Sequence, residues 1–169
     1  VVELGAGCGL PGLLAAKLGA SEVLLTDKDP AVLEALRLSV AANGLGDVCS
    51  VEELVYGAAA PASHLVLAAD ALYLTCQVDL LVMTIMTALN RIPPIDVLMK
   101  PDACGACLLA HEPRRAWKLD ADRNPVQEAE DDVLAAFLAA CAAAGLAADR
   151  EGDRGDVRIY RIRWASYLS

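Results

Sequence analysis

Glu3, Gly5, Gly7 and Gly9 alternate in Val1-Val2-Glu3-Leu4-Gly5-Ala6-Gly7-Cys8-Gly9-Leu10-Pro11-Gly12, an apolar strand that breaks into a glycine turn and then a helix. Without Cβ atoms, such a turn takes positive φ and lets a ligand approach its backbone. A helix opening at Pro11 turns unpaired N–H groups and the positive end of its dipole towards that ligand. The chemistry indicated is the holding of a nucleotide-type cofactor. Asp27 follows a second apolar stretch, Glu22–Thr26, and Asp70 ends another, His64–Ala69. A carboxylate at a strand end can accept hydrogen bonds from both hydroxyls of a ribose, the role read for Asp27; the competing role is helix capping beside Asp29. Glu3 has two candidate partners, the loop amides or a ligand ammonium.

These residues need a scaffold, and 169 residues suit one domain that buries roughly two thirds of its unfolded surface. Hydrophobic residues make up 56% and aromatics 4%, so the core must be built from Ala, Leu and Val. The order read from the pattern is strand 1–4, helix 10–18, strand 22–26, then a helix from Asp29-Pro30 to Asn43-Gly44 with Leu33, Leu36 and Val40 as its stripe. Cys49–Leu54 and His64–Ala69 read as further strands, Val78–Leu89 as a helix closed by Pro93-Pro94, and 103–111 as a fifth strand. A polar loop is expected over 112–124. A helix is expected to start at Asn124-Pro125 and stop at Gly145, with Leu134, Phe137, Leu138 and Cys141 inward. The end, Asp156–Trp164, alternates basic and apolar residues and reads as a half-exposed strand. It is expected to pair with a short strand around Ala147–Arg150 through a turn at Gly152–Gly155. Strands alternating with helices through tight connections make a parallel α/β sheet.

The net charge of −9 and a pI near 4.6 weigh against a nucleic-acid partner and leave a basic protein segment as the partner an acidic surface favours. No apolar run reaches the ~18 residues of a membrane span, so no membrane partner is expected. Cys104-x-x-Cys107 lacks the second pair that a zinc site needs, and no metal is expected. The six cysteines are read as buried thiols of a reducing compartment. His64, at the start of its strand, reads as structural. His111, at the far end of its own, is a candidate for the site's edge. Arg114 and Arg115 read as a solvated loop, and Trp117 and Trp164 as packing residues.

Two cofactors compete for the glycine turn. Gly7-Cys8-Gly9-Leu10-Pro11-Gly12 satisfies the dinucleotide pattern GxGxxG, with Asp27 about twenty residues on. The alternative takes Glu3-x-Gly5-x-Gly7-x-Gly9 as the motif, and Val2–Gly9 then resembles the cofactor loop of class I S-adenosylmethionine (SAM) methyltransferases. Leu54-Val55-Tyr56-Gly57 resembles the Leu-x-Trp-Gly element of the seven-strand protein lysine methyltransferases, with Tyr in place of the usual Trp. Ala69-Asp70-Ala71-Leu72-Tyr73 resembles that family's Asp-x-x-Tyr/Phe signature, and Leu108–Arg114 and Arg158–Arg163 look like its fifth and last strands.

The resemblance implies a Rossmann-like doubly wound sheet of order 3-2-1-4-5-7-6, mostly parallel with an antiparallel last strand and helices on both faces. It implies SAM as cofactor, held by Glu3, Gly5, Ala6, Gly7, Gly9, Asp27, Tyr56 and Ala69, with Asp70 and Tyr73 on the acceptor side. The implied reaction is methyl transfer to a lysine of a protein, by a monomer in the cytoplasm or, alternatively, the nucleus. Leu10-Pro11-Gly12 and Ala15–Ala20 also look like relatives that act on arginine, which keeps that acceptor open. Family members carry a helical segment before the first strand that closes over the cofactor. This chain opens on the strand, so an N-terminally short piece is expected, and with it the alternative of a non-catalytic interaction module.

Overall fold

β1 (Val2–Leu4) is buried along its whole length, because it lies inside the sheet with apolar neighbours on both sides. The computed structural model describes residues 1–89, 105–113, 117–119, 121–127 and 131–165. Among these, β1 pairs in parallel with β2 (Val23–Asp27) and β4 (Leu65–Ala69), and β2 pairs in parallel with β3 (Cys49–Glu53). On the other side β4 pairs in parallel with β5 (Ala106–His111). The sheet order is the one expected, with the last two strands as an antiparallel hairpin beside β5. All five parallel strands therefore point their carboxyl ends the same way, and the turns that follow them share one edge.

The helices cover both faces. α1 (Leu10–Lys17) and α2 (Pro30–Ala42) bury Ala16, Leu33, Leu36 and Val40 against Val23 and Leu25. α3 (Val78–Ala88) and α4 (Asp132–Ala143) bury Leu81, Ile85, Phe137 and Cys141 against Val2, Leu4, Val66 and Leu109. Because side chains alternate along a strand, Val2 and Leu4 serve the α3/α4 face and Glu3 is turned to the α1 side. Asp29 starts α2 as expected, its carboxylate accepting from Ala31 N at 2.8 Å with Pro30 behind it.

Three expectations fail. Pro125 opens β7 (Pro125–Gln127), paired antiparallel with β6 (Trp117–Leu119), so the 112–124 stretch contains a strand and no helix starts at Asn124-Pro125. Proline is tolerated as the first residue of a short edge strand, which gives the same local signature as a helix start. The cap of α4 is Asp131, whose Oδ1 accepts from Leu134 N at 3.0 Å. The terminal hairpin is also longer than expected. β8 (Leu146–Arg154) meets β9 (Val157–Trp164) across Gly155-Asp156, and Gly152 sits at a bulge inside β8 instead of in the turn. Finally, Cys8 and Cys76 are exposed, the first in the glycine turn and the second in a 3-10 turn before α3; Cys49, Cys107 and Cys141 are buried. Pro93-Pro94, Ala103, Cys104, Arg114 and Arg115 lie outside the described residues. Among the described residues, no helix is long and apolar enough to cross a membrane.

Candidate functional site

The turn after β1 is held open by three residues with left-handed backbone, Gly5 (φ 63°), Gly7 (φ 54°) and Gly9 (φ 72°). It is tied to β2 by Ala6 N donating to Thr26 O at 2.8 Å and Gly7 N donating to Asp27 Oδ2 at 3.1 Å. Asp27 Oδ1 accepts in turn from Asp29 N at 3.1 Å, so this one carboxylate braces both the glycine turn and the start of α2. The start of α1 offers a ligand fewer amides than the sequence suggests. Pro11 has none, and Gly12 N donates to Glu3 Oε2 at 2.9 Å.

A cleft of about 270 Å³ opens over this turn. Its floor is Gly5 and Gly7, and Asp27 and Lys28 border it from the end of β2. Leu54, Val55 and Tyr56 enter from the segment after β3, Asp70, Ala71 and Tyr73 from the segment after β4, and Gln77 and Leu80 from the start of α3. Of the residues expected at a cofactor or acceptor site, Gly5, Gly7, Asp27, Tyr56, Asp70 and Tyr73 come together here. Glu3, Ala6, Gly9 and Ala69 are not among the lining residues. Glu3 and Ala6 are buried, and Gly9 lies so close to Leu36 that a Cβ would overlap it. Lys28, Gln77 and Leu80 were not singled out from the sequence. Lys28 follows a recognised strand end, but tertiary packing alone brings Gln77 and Leu80 to the cleft.

Tyr56 crosses the cleft towards the glycine turn, and its hydroxyl occupies the space that a Cβ on Gly5 would need. Burial, followed by the charge of Asp27 and then Tyr73, pushes its phenol up to about 12, so it stays neutral at physiological pH. Asp70 has φ 52°, a conformation that Asp tolerates better than most residues. Its amide donates to Ala110 O on β5 at 2.8 Å, and its Oδ2 accepts from the Tyr73 hydroxyl at 3.1 Å. Glu3 is 1% exposed, and burial lifts its carboxyl to about 7 against the opposing pull of the Gly12 amide.

The histidines do not join the site. His111 is fully buried with Nε2 2.7 Å from Asp131 Oδ2, which answers the expectation of an edge role with a structural contact. His64 is exposed at the foot of β4, and Trp164 packs partly buried against the core. Among the described residues, no cluster of three His, Cys, Asp or Glu could hold a metal ion.

The donor set suits a cationic cofactor. Asp27 and Asp70 outnumber Lys28, and at Gly7 the floor is bare backbone, with nothing within 4 Å of a Cβ placed there. Residues 1–103 match the lysine methyltransferase family. The chain belongs to that family. A stretch of 64 residues is 38% identical to the ribosomal protein L11 methyltransferase of Chloroflexus aurantiacus, covering 38% of this chain and only 20% of that relative. Solved structures share the fold of this lysine methyltransferase family member, among them these two. The ribosomal protein L11 methylase of Lactobacillus delbrueckii subsp. bulgaricus superposes with a TM-score of 0.67 at 19% identity, over 98% of this chain and 69% of that one. A SAM-dependent methyltransferase of Mesorhizobium loti gives 0.64 at 20% identity, over 96% of this chain and 89% of that one. The fold is that of the class I SAM-dependent methyltransferases.

Proposed function

We propose that this chain binds SAM in the cleft over Gly5 and Gly7 and transfers its methyl group to a protein side-chain nitrogen, with lysine as the acceptor. The observation that carries this reading is the meeting of the glycine turn, Asp27 and the Asp70–Tyr73 pair in one cleft of a lysine methyltransferase family member. Bound SAM supplies a methyl on a sulfonium, open to in-line displacement by an amine. Asp27 would hold the ribose hydroxyls, and the Tyr56 side chain would cover the nucleoside. Asp70 would accept an N–H of the incoming amine and aim its lone pair, with Tyr73 as a wall of the acceptor channel.

The amine must be uncharged, and a free lysine titrates near 10.4, so neutralising it at pH 7 costs about 4–5 kcal/mol. Apolar surface from Val55, Tyr73 and Leu80 disfavours the ammonium and lowers that cost, whereas Asp70 favours the ammonium and raises it. The role of Asp70 is therefore to capture and align the amine, with the apolar wall doing the work of neutralisation. The names of the ribosomal protein L11 methyltransferases support a protein acceptor, and the charge of −9 supports a basic flanking segment. A cytoplasmic location is part of the same proposal.

Calorimetric titration with SAM, then transfer of labelled methyl to a protein extract and mass spectrometry of the product, tests the reading. Binding together with methyllysine is the expected result. Methylarginine would move the acceptor, binding without transfer would leave an interaction module, and binding of NADH in place of SAM would restore the dinucleotide reading.

A further inference from the structure

We propose that Glu3 is a positioning residue of the cofactor loop: its side chain clamps the start of α1 to β1, makes no contact with the cofactor, and holds the loop best when ionised. The proposal rests on the reading that this loop receives SAM. Glu3 sits on a strand inside the sheet, opposite Leu25 of β2 and Leu67 of β4, and is almost completely buried. Its main-chain oxygen accepts from Thr26 Oγ1 at 2.6 Å, and its Oε2 accepts from Gly12 N at 2.9 Å. Gly9, at the cap position of α1, provides no side-chain bond, so the bond that holds the helix start comes from across the strand. Gly12 is what permits the approach, since a Cβ there would overlap both Leu25 and Glu3 Oε2.

Between the two ends of this clamp run Gly5, Gly7 and Gly9, all in left-handed conformation. Three glycines give the unconstrained loop many conformations, so a fixed helix start restricts it to the one that leaves a floor for a ligand. An ionised carboxylate accepts the Gly12 amide more strongly than a protonated one and is favoured by the helix dipole. The charged groups on the neighbouring elements are engaged elsewhere. Asp27 at the end of β2 holds Gly7 N and Asp29 N, Lys17 at the far end of α1 donates to Asn43 O, and Asp70 beyond β4 accepts from Tyr73. Burial is therefore what sets the protonation of Glu3, and it brings the change of state to about pH 7.

SAM titrations of the wild type and of Glu3→Gln at pH 6, 7 and 8 test the proposal. If the ionised form is the competent one, wild-type affinity falls about tenfold from pH 8 to pH 6. Glutamine keeps an oxygen for Gly12 and does not titrate, so the ratio of the two affinities should change about tenfold over the range. Any titration of the ligand's own amino group is common to both proteins and cancels. 5′-Methylthioadenosine, which lacks that amino group, should lose affinity in Glu3→Gln by the same factor as SAM does at pH 8. A loss confined to SAM would mean direct contact with the ligand's ammonium and would overturn the proposal. Without ligand, the raised carboxyl adds stability that is full below pH 4.5 and is lost as the pH rises through about 7. The urea midpoint of the wild type should show this decline, and that of Glu3→Gln should not. Equal slopes would show that Glu3 does not change state in this range and would overturn the dependence on ionisation. Absence of SAM binding to the wild type at every pH would overturn the proposed function, and the ligand-free slopes would still decide whether Glu3 changes state near pH 7.

Discussion

The Tyr73 hydroxyl donates to Asp70 Oδ2 over 3.1 Å, so the residue that β5 fixes by its main chain is aimed by a side chain three positions later. Backbone and carboxylate of Asp70 are thus both set before any substrate arrives. Asp70→Asn keeps a residue that tolerates φ 52° while removing the charge. Methyl transfer should fall about a hundredfold or more, and SAM affinity should stay within about threefold. Tyr73→Phe leaves the charge but not the aim, and its half-exposed hydrogen bond is worth about 1 kcal/mol, or roughly fivefold in kcat. Single-turnover transfer rates alongside calorimetry separate these effects. A fully active Asp70→Asn enzyme would sink the role given to Asp70.

Asp27 carries a different expectation, because its carboxylate already holds Gly7 N and Asp29 N. Removing it takes away a ribose acceptor and loosens the turn at once. Asp27→Ala should weaken SAM binding about 10- to 100-fold, the range for a hydrogen bond to a charged group. Asp27→Asn keeps an oxygen for Gly7 and should lose less. Wild-type affinity in the alanine variant would remove Asp27 from the site.

The strands were legible in the sequence because β1, β2 and β4 are short apolar runs, β1 stopping at the glycine turn and β2 and β4 at Asp27 and Asp70. That was enough to bring Gly5, Gly7, Asp27 and Asp70 to one edge, since parallel strands share a direction. An amide was one of the two partners read for Glu3, but that the amide is Gly12's was not legible, because it depends on how closely α1 approaches β1. Asn124-Pro125 misled because a cap followed by proline is a local signal, and the pairing of Pro125 with Leu119 is not local. The true cap, Asp131, has its buried partner twenty residues earlier at His111. Gln77 and Leu80 reach the cleft only through the packing of α3, which periodicity cannot aim.

Gly12 is also the site of a stability prediction. In Gly12→Ala the new methyl would overlap Leu25 Cδ2 and Glu3 Oε2 and lie 3.4 Å from Val23 Cγ1. Overpacking of this kind costs about 1–3 kcal/mol, against a helix-propensity gain of up to ~1 kcal/mol. A net loss of a few degrees in Tm is expected by circular dichroism. Gly46→Ala is the control, since a Cβ there meets nothing within 4 Å and the backbone is not left-handed. An unchanged Tm in Gly12→Ala would show that α1 can move off β1 at no cost, which the Glu3 bond argues against.

Asp131 joins two elements with one carboxylate: Oδ2 lies 2.7 Å from His111 Nε2 at the end of β5, and Oδ1 accepts from Leu134 N at the start of α4. Both side chains are nearly inaccessible, 0% for His111 and 2% for Asp131. Asp131→Ala would strip the cap from α4 and leave the imidazole buried without its partner, a loss of about 2–4 kcal/mol. Asp131→Asn retains an oxygen for Leu134 and a polar group for His111, so about 1–2 kcal/mol is expected. Urea unfolding of the three proteins at one pH gives the comparison. Neither residue lines the cleft, so SAM affinity should be unchanged in whichever variant remains folded. If Asp131→Ala unfolds at the wild-type urea concentration, the pair does not hold β5 to α4, and the stability of that end of the sheet must come from the apolar contacts of Phe137 and Cys141 alone.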